Sequence, residues 1–250
     1  MSNIVKKTTF PGLFSLLAPH SCRGCGSLGS PICDRCKKYI IFRHHNLCPI
    51  CHLSNPTGKC PNCSNLPPIF IAGDRSDLIG ELIHAYKYES VRSLAYPLAE
   101  ILDSILPSFN TPIIIVPLPT ITKHVRERGF DHTYLIAKHL AKLRPQCTVA
   151  NLLTRTKNTV QVGSSRETRL EQATSTYRLA KNTKPNPNAT YILFDDVWTT
   201  GASLQSAYAL LKKAGIQKIV IGVLALSYHS ATPKSQNSQS QMPRNKSLNQ

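Results

Sequence analysis

Two adjacent carboxylates, Asp195 and Asp196, follow a short apolar run, Tyr191-Ile192-Leu193-Phe194. After Val197 and Trp198 comes a loop of small and hydroxylic residues, Thr199-Thr200-Gly201-Ala202-Ser203. The apolar run has the length of a buried parallel strand, and helical periodicity resumes from Ala202 to about Lys213. A loop in that position offers backbone N–H groups, hydroxyls and the partial positive charge of a helix N-terminus, which together favour a phosphate. Two acids directly before such a cradle would repel the phosphate itself, so they suit the hydroxyls of a sugar attached to it. A ribose 5-phosphate fits that arrangement. An ordinary strand–turn–helix with Thr200 or Ser203 as N-cap explains the hydroxyls but leaves the acid pair without a purpose.

A second chemistry is written in cysteine. Eight of the nine cysteines form four Cys-x-x-Cys pairs: Cys22/Cys25, Cys33/Cys36, Cys48/Cys51 and Cys60/Cys63. Two such turns present four thiolates to one tetrahedral ion, so four turns imply two structural zinc ions. The rival is a disulfide-linked secreted module, but residues 1–20 show neither the apolar core nor the cleavage site of a secretion signal. The spacing suits two consecutive zinc ribbons, with a crossed pairing left open. His20, His44, His45 and His52 are expected to be bystanders among so many thiols, and Cys147 a small residue at least half buried. The cysteine segment is rich in Gly and Pro and poor in large apolar side chains, so metal is expected to supply most of its folding energy.

The elements that must position these groups follow from periodicity. Ile69 to Asp74, Pro112 to Val116 and Lys218 to Leu226 read as strands; Ser76 to about Glu89, Arg92 to about Leu106 and Thr133 to about Leu143 read as helices. Ser76 or Asp77 is expected to cap the first of these helices. Alternation of strands and helices predicts an α/β fold with a mostly parallel sheet, whose ligand crevice lies at the strand carboxyl ends. Pro117 to Thr120 and Asp195 to Ser203 would both emerge there. No apolar stretch approaches the roughly 20 residues of a membrane span. The chain therefore divides into an N-terminal extension (1–13), a double zinc-ribbon module (14–66), an α/β domain (67–229) and a polar tail (230–250) too poor in apolar residues to fold.

Thirty basic against 13 acidic residues give a net charge of +17. Each zinc with four thiolates offsets about two of these charges. The remaining excess suits a polyanionic small molecule or single-stranded nucleic acid, to which weak, salt-sensitive binding is expected.

The acid pair and the loop after it resemble the phosphoribosyl pyrophosphate (PRPP) motif of the type I phosphoribosyltransferases. Further stretches extend the resemblance. Leu82-Ile83-His84-Ala85-Tyr86-Lys87-Tyr88, Val116-Pro117-Leu118-Pro119 with Arg126-Glu127-Arg128-Gly129-Phe130-Asp131, and Arg155 with Gln161, Arg166 and Arg169 are similar in order to segments of ComF-type proteins. With the zinc pairs ahead of them, the resemblance to the ComF family runs from about Phe14 to Tyr228. That family is associated with competence for DNA uptake.

The resemblance implies a type I phosphoribosyltransferase-like sheet with helices on both faces, preceded by a double zinc ribbon. It implies PRPP bound with Mg²⁺ and displacement of pyrophosphate at C1 of the ribose by an unidentified acceptor. Carried over by position, Asp195 and Asp196 contact the ribose hydroxyls as catalytic residues, and Thr199, Thr200, Gly201, Ala202 and Ser203 bind the 5-phosphate. Lys87, Pro117, Arg126 and Arg128 belong to the remaining PRPP contacts, the three cations being candidates for the pyrophosphate. The eight paired cysteines bind zinc. A cytoplasmic location is expected. The alternative is a non-catalytic module of the DNA-uptake machinery that senses PRPP or holds single-stranded DNA. Asp131 and His132 stand where the family has Asn-Gln, Gln172 where an Asn follows Arg169, and Trp198 where an aliphatic residue is usual. Asp131 sets a negative charge near an anion site, and Trp198 is suited either to stacking on a base or to packing. His84 and His132 are weak candidates for a general base.

Overall fold

The computed structural model describes residues 20–63, 65–156, 176–181 and 183–227. The extension 1–13, the tail 230–250, and Gln161, Arg166, Arg169 and Gln172 lie outside the described residues.

Five parallel strands, β1 (Ile69–Asp74), β2 (Ile113–Pro117), β3 (Cys147–Val149), β6 (Thr190–Trp198) and β7 (Ile219–Leu226), form one sheet in the order β1-β7-β6-β2-β3. The central strands β6 and β7 are apolar along most of their length because both faces are covered. Side chains alternate across β6. Ile192 and Phe194 enter a core shared with α2 (Leu78–Tyr88), α3 (Ala95–Ile105) and α5 (His132–Leu143), while Tyr191 and Leu193 enter one shared with α6 (Ala202–Lys213). Helices thus cover both faces, as expected. A separate antiparallel pair, β4 (Leu153–Arg155) and β5 (Tyr177–Leu179), lies outside the main sheet.

Several expectations are refined. The strand bearing the acid pair does not end before the carboxylates but runs on through Trp198. Asp77 occupies the N-cap of α2 without a side-chain cap bond. The helix expected from Arg92 begins as a 3₁₀ turn, Arg92–Leu94, and becomes α-helical at Ala95. A short helix, α4 (Thr122–Arg128), follows β2 and stops at Gly129, whose φ of +74° places it in the left-handed region.

The cysteine-rich segment also contains a helix, α1 (Asp34–Phe42), and it is docked on the sheet domain. Cys36, Ile32 and Ile40 are buried in the same core as α2 and α3. Lys37 pairs with Glu100 at 2.7 Å, and Arg23 pairs with Glu89 just beyond α2. Backbone pairing of His45 with Ile71 covers the edge strand β1, His45 N–H donating to the Ile71 carbonyl at 3.0 Å. Metal is therefore not the segment's sole support: apolar burial against the sheet domain contributes as well.

Candidate functional site

The eight paired cysteines gather into two sequential clusters, Cys22/Cys25/Cys33/Cys36 and Cys48/Cys51/Cys60/Cys63, with the sulfur atoms of each within 4.8 Å of one another. This settles the pairing left open by the spacing. All eight are free thiols. Sulfur separations of 3.6 Å (Cys25 to Cys33), 3.9 Å (Cys48 to Cys63) and 3.3 Å (Cys51 to Cys60) approximate the edge of a tetrahedron, about 3.8 Å when zinc–sulfur bonds are about 2.3 Å.

The thiols divide: burial pushes Cys36, Cys48 and Cys63 up, while local hydrogen bonds lower others toward thiolate. Hydrogen bonds from the Ser27 side chain and backbone and from Arg35 hold Cys25 down to about 5, and the Leu53 backbone N–H leads in lowering Cys51 to about 7. No histidine joins either cluster among the described residues. His44 Nδ1 contacts the Ile41 carbonyl at 2.9 Å, and His45 Nδ1 lies 3.4 Å from Asp74. The donor sets fit structural zinc.

The second site sits where β2 and β6 end. Parallel register places Pro117 beside Phe194, directly before the acid pair. The two acids point to opposite faces of β6 and meet different surroundings. Asp196 is 5% exposed, and its Oδ2 lies against Lys87 Nζ from α2 and 3.3 Å from His132 Nε2 at the start of α5. Burial would raise the Asp196 carboxyl, but the His132 contact and the Lys87 charge outweigh it and hold the group below the usual carboxylate range. Asp195 accepts the Asp196 backbone N–H at 2.9 Å. Its own carboxyl is pushed well above the ordinary value, first by burial and then by the negative charge of Asp196. The two carboxyls are therefore pushed in opposite directions, and Asp196 is the member whose charged form the surroundings favour.

Mg²⁺ is implied by the resemblance and takes hard oxygen ligands. Asp196 Oδ2 is buried and lies against the Lys87 ammonium and His132 Nε2, which come from two different helices. That oxygen, with the Asp195 carboxyl, fits sugar hydroxyls or a hydrated cation.

The loop after β6 owes its shape to Gly201. Its φ is +75°, and a Cβ there would come within 2.2 Å of the Trp198 ring. Trp198 is 1% exposed, so it packs beneath the loop and is closed to a stacking base. Thr199, Thr200 and Ala202 are exposed, and Thr200 Oγ1 accepts the Ala202 N–H at 3.3 Å. Gly201 itself, rather than Thr200 or Ser203, is the N-cap of α6. Ser203 lies near the Tyr177 hydroxyl on β5 and favours its charged form.

Among the remaining expected residues, Arg128 approaches His132 Nδ1 at 3.1 Å and lies over the Tyr88 ring at 5.2 Å. Arg126 is exposed on α4 and touches neither acid. Pro117 lines an open cleft of 500 Å³ with Thr120, Asp131, Tyr134, Asn151 and Arg155. Asp131 proves to be a cap: its Oδ1 accepts the Thr120 hydroxyl at 3.0 Å and the Tyr134 N–H at 3.1 Å. That oxygen also lies 2.9 Å from the Thr133 hydroxyl, whose one hydrogen it shares with the Leu118 carbonyl at 2.8 Å. These donors engage the carboxylate, and the same oxygen of an Asn would serve. His84 is exposed beside Tyr88 and Glu89, away from the acid pair. Sequence reasoning undervalued His132. The only signal was a histidine next to a helix cap at a position where the family carries a side-chain donor.

Five parallel strands with helices on both faces, carrying two Cys₄ clusters at the N-terminal side, define a parallel α/β protein with a cysteine-rich module whose donor sets fit zinc. Competence protein F of Haemophilus influenzae is a homologue, 26% identical over 207 residues that span 78% of this chain and 90% of that protein. The resemblance to the ComF family is therefore upheld. No family model matches the chain. Two crystal forms of a hypoxanthine phosphoribosyltransferase from Staphylococcus aureus overlap 55% and 58% of it at 12% identity, with TM-scores of 0.33 and 0.34. The chain spans 64% and 70% of those structures, an overlap too slight to carry an argument. No helix among the described residues is long and apolar enough to cross a membrane.

Proposed function

We propose that the chain binds PRPP with Mg²⁺ and transfers the phosphoribosyl group to an acceptor, in the competence setting that its relative's name indicates. The observation that carries this reading is the buried Asp196 carboxylate, held ionised by Lys87 and His132 directly before a Gly-centred loop at the carboxyl end of a parallel strand. Asp195 and Asp196 accept from the ribose hydroxyls and orient the ring. Thr199 to Ser203 donate to the 5-phosphate, with the α6 N-terminus behind them. In the reaction the C1–oxygen bond breaks, its electron pair leaves on pyrophosphate, and the acceptor bonds to C1 and gives up a proton. Positive charge grows on the ring as the leaving group departs, so an ionised carboxylate beneath it stabilises that stage.

Lys87 and the arginines of α4 are the cations proposed to receive the pyrophosphate. Arg128 uses one nitrogen on His132 and keeps further N–H donors for a phosphate. Mg²⁺, when bound, would be held near the two acids and supplies charge neutralisation of the leaving group. Calorimetric titration of the zinc-loaded protein with PRPP and MgCl₂ tests the site. Binding that weakens at least tenfold in Asp196→Asn supports it, and undiminished affinity in Asp196→Asn refutes it. Pyrophosphate release on adding candidate acceptors then separates transfer from the alternative of a PRPP-sensing module.

A further inference from the structure

His132 is buried at the first turn of α5, and both of its ring nitrogens are engaged. Nδ1 meets Arg128 at 3.1 Å, and Nε2 meets Asp196 Oδ2 at 3.3 Å. A guanidinium can only donate, so Nδ1 must be the bare, accepting nitrogen. In a neutral ring the proton then resides on Nε2, 3.3 Å from the carboxylate oxygen. The Thr120 hydroxyl, 3.2 Å from Nδ1, has Asp131 as its acceptor at 3.0 Å and does not compete for that lone pair. The backbone is anchored too, since the buried Tyr86 hydroxyl donates to the His132 carbonyl at 3.0 Å.

We infer that His132 is a positioning residue: Arg128 fixes its Nε2–H tautomer, and that N–H holds Asp196 in place for the ribose hydroxyls. The inference rests on the PRPP reading of Asp196 for its effect on ligand, but the tautomer belongs to the protein alone. It also removes His132 from the candidates for a general base, because neither nitrogen is free to take a proton from an acceptor. Lys87 approaches the same oxygen from α2, so the two donors fix Asp196 from two different elements. A lysine on a flexible stem supplies charge, whereas the imidazole, locked at both ends, supplies direction.

The two ring contacts can be separated by amides. A glutamine extends its N–H₂ to about the position of Nε2 and so retains the donor to Asp196. An asparagine reaches only about as far as Nδ1, retaining an acceptor for Arg128 but losing Asp196. PRPP–Mg²⁺ affinity should fall about tenfold or more in His132→Asn, the loss expected for a hydrogen bond to a charged group, and at most about threefold in His132→Gln. Nitrogen-15 NMR of the histidine-labelled protein should show a bare Nδ1 and a protonated Nε2 in His132, with the second tautomer appearing in Arg128→Met. If Asp196→Asn loses PRPP while His132→Asn binds like the parent, the positioning role is overturned and the PRPP site stands. If the parent does not bind PRPP, the PRPP reading fails, and the NMR tautomer still decides whether Arg128 sets the ring. A protonated Nδ1 in the parent overturns the inference outright.

Discussion

Replacing either member of the acid pair by its neutral isostere should change stability in opposite directions. Asp196 is buried against Lys87, whose side chain is itself 14% exposed, so Asp196→Asn leaves a buried ammonium without its counter-charge. Breaking a buried pair in this way costs about 3–5 kcal/mol, and the low end applies here because the ammonium sits on a flexible stem and can shift toward water. In a domain of this size about 3 kcal/mol corresponds to a loss of roughly 6–12 °C in Tm.

Asp195 is the reverse case. Burial and the neighbouring charge raise its carboxyl, so ionising it opposes folding, and each pKa unit of that rise is about 1.4 kcal/mol. Asp195→Asn should therefore stabilise near neutral pH. The pH signs differ as well. The depressed Asp196 group contributes stability above the unfolded carboxylate pKa, near 3.9, and loses it as pH falls from there toward its folded value, so the Asp196→Asn deficit shrinks in acid. The raised Asp195 group contributes fully below that unfolded pKa and loses its contribution as pH rises toward its folded value, so the Asp195→Asn gain grows upward from about pH 4. Thermal unfolding of parent and variants at matched zinc loading from pH 4 to 8 should show the Asp195→Asn gain growing. The Asp196→Asn deficit should stay nearly constant there, since its loss lies below that window. Destabilisation of equal size in the two variants at pH 7 would refute the division of roles.

Further outcomes follow from the geometry. Protein purified without chelator should carry two zinc ions by elemental analysis, and Cys33→Ser should reduce that to one while loosening residues 20–43 more than the second cluster, as read by hydrogen exchange. Gly201→Ala should destabilise by about 1–3 kcal/mol even without ligand, because a Cβ meets the Trp198 ring in a left-handed backbone; an unchanged denaturant midpoint would contradict this. Asp131→Ala should cost about 1 kcal/mol through loss of the α5 cap, whereas Asp131→Asn should remain within a few tenths of the parent in urea unfolding.

Strand and helix identities in the sheet domain were legible because their causes are local. Apolar runs such as Ile113–Val116 and Ile219–Leu226 have the composition of doubly covered strands, and the Thr-Thr-Gly-Ala-Ser loop announces itself by residue types in a row. The eight cysteines were legible as metal ligands for the same reason, yet their assignment to two sequential clusters depended on how the turns fold back. Packing settled one open reading and hydrogen bonding gave Asp131 a structural role. Trp198 proved to be the packing surface under Gly201, and Asp131 a cap engaged by the Thr120 hydroxyl and the Tyr134 N–H. The deepest feature of the site joins residues far apart in the chain: Lys87 on α2, Arg128 on α4, His132 on α5 and Asp196 on β6. Residue type and short spacing determined which chemistry the chain carries. Which acid is ionised, and which groups hold it so, was decided only by tertiary packing, because charge–charge distances and desolvation arise when the strand ends and helix starts converge.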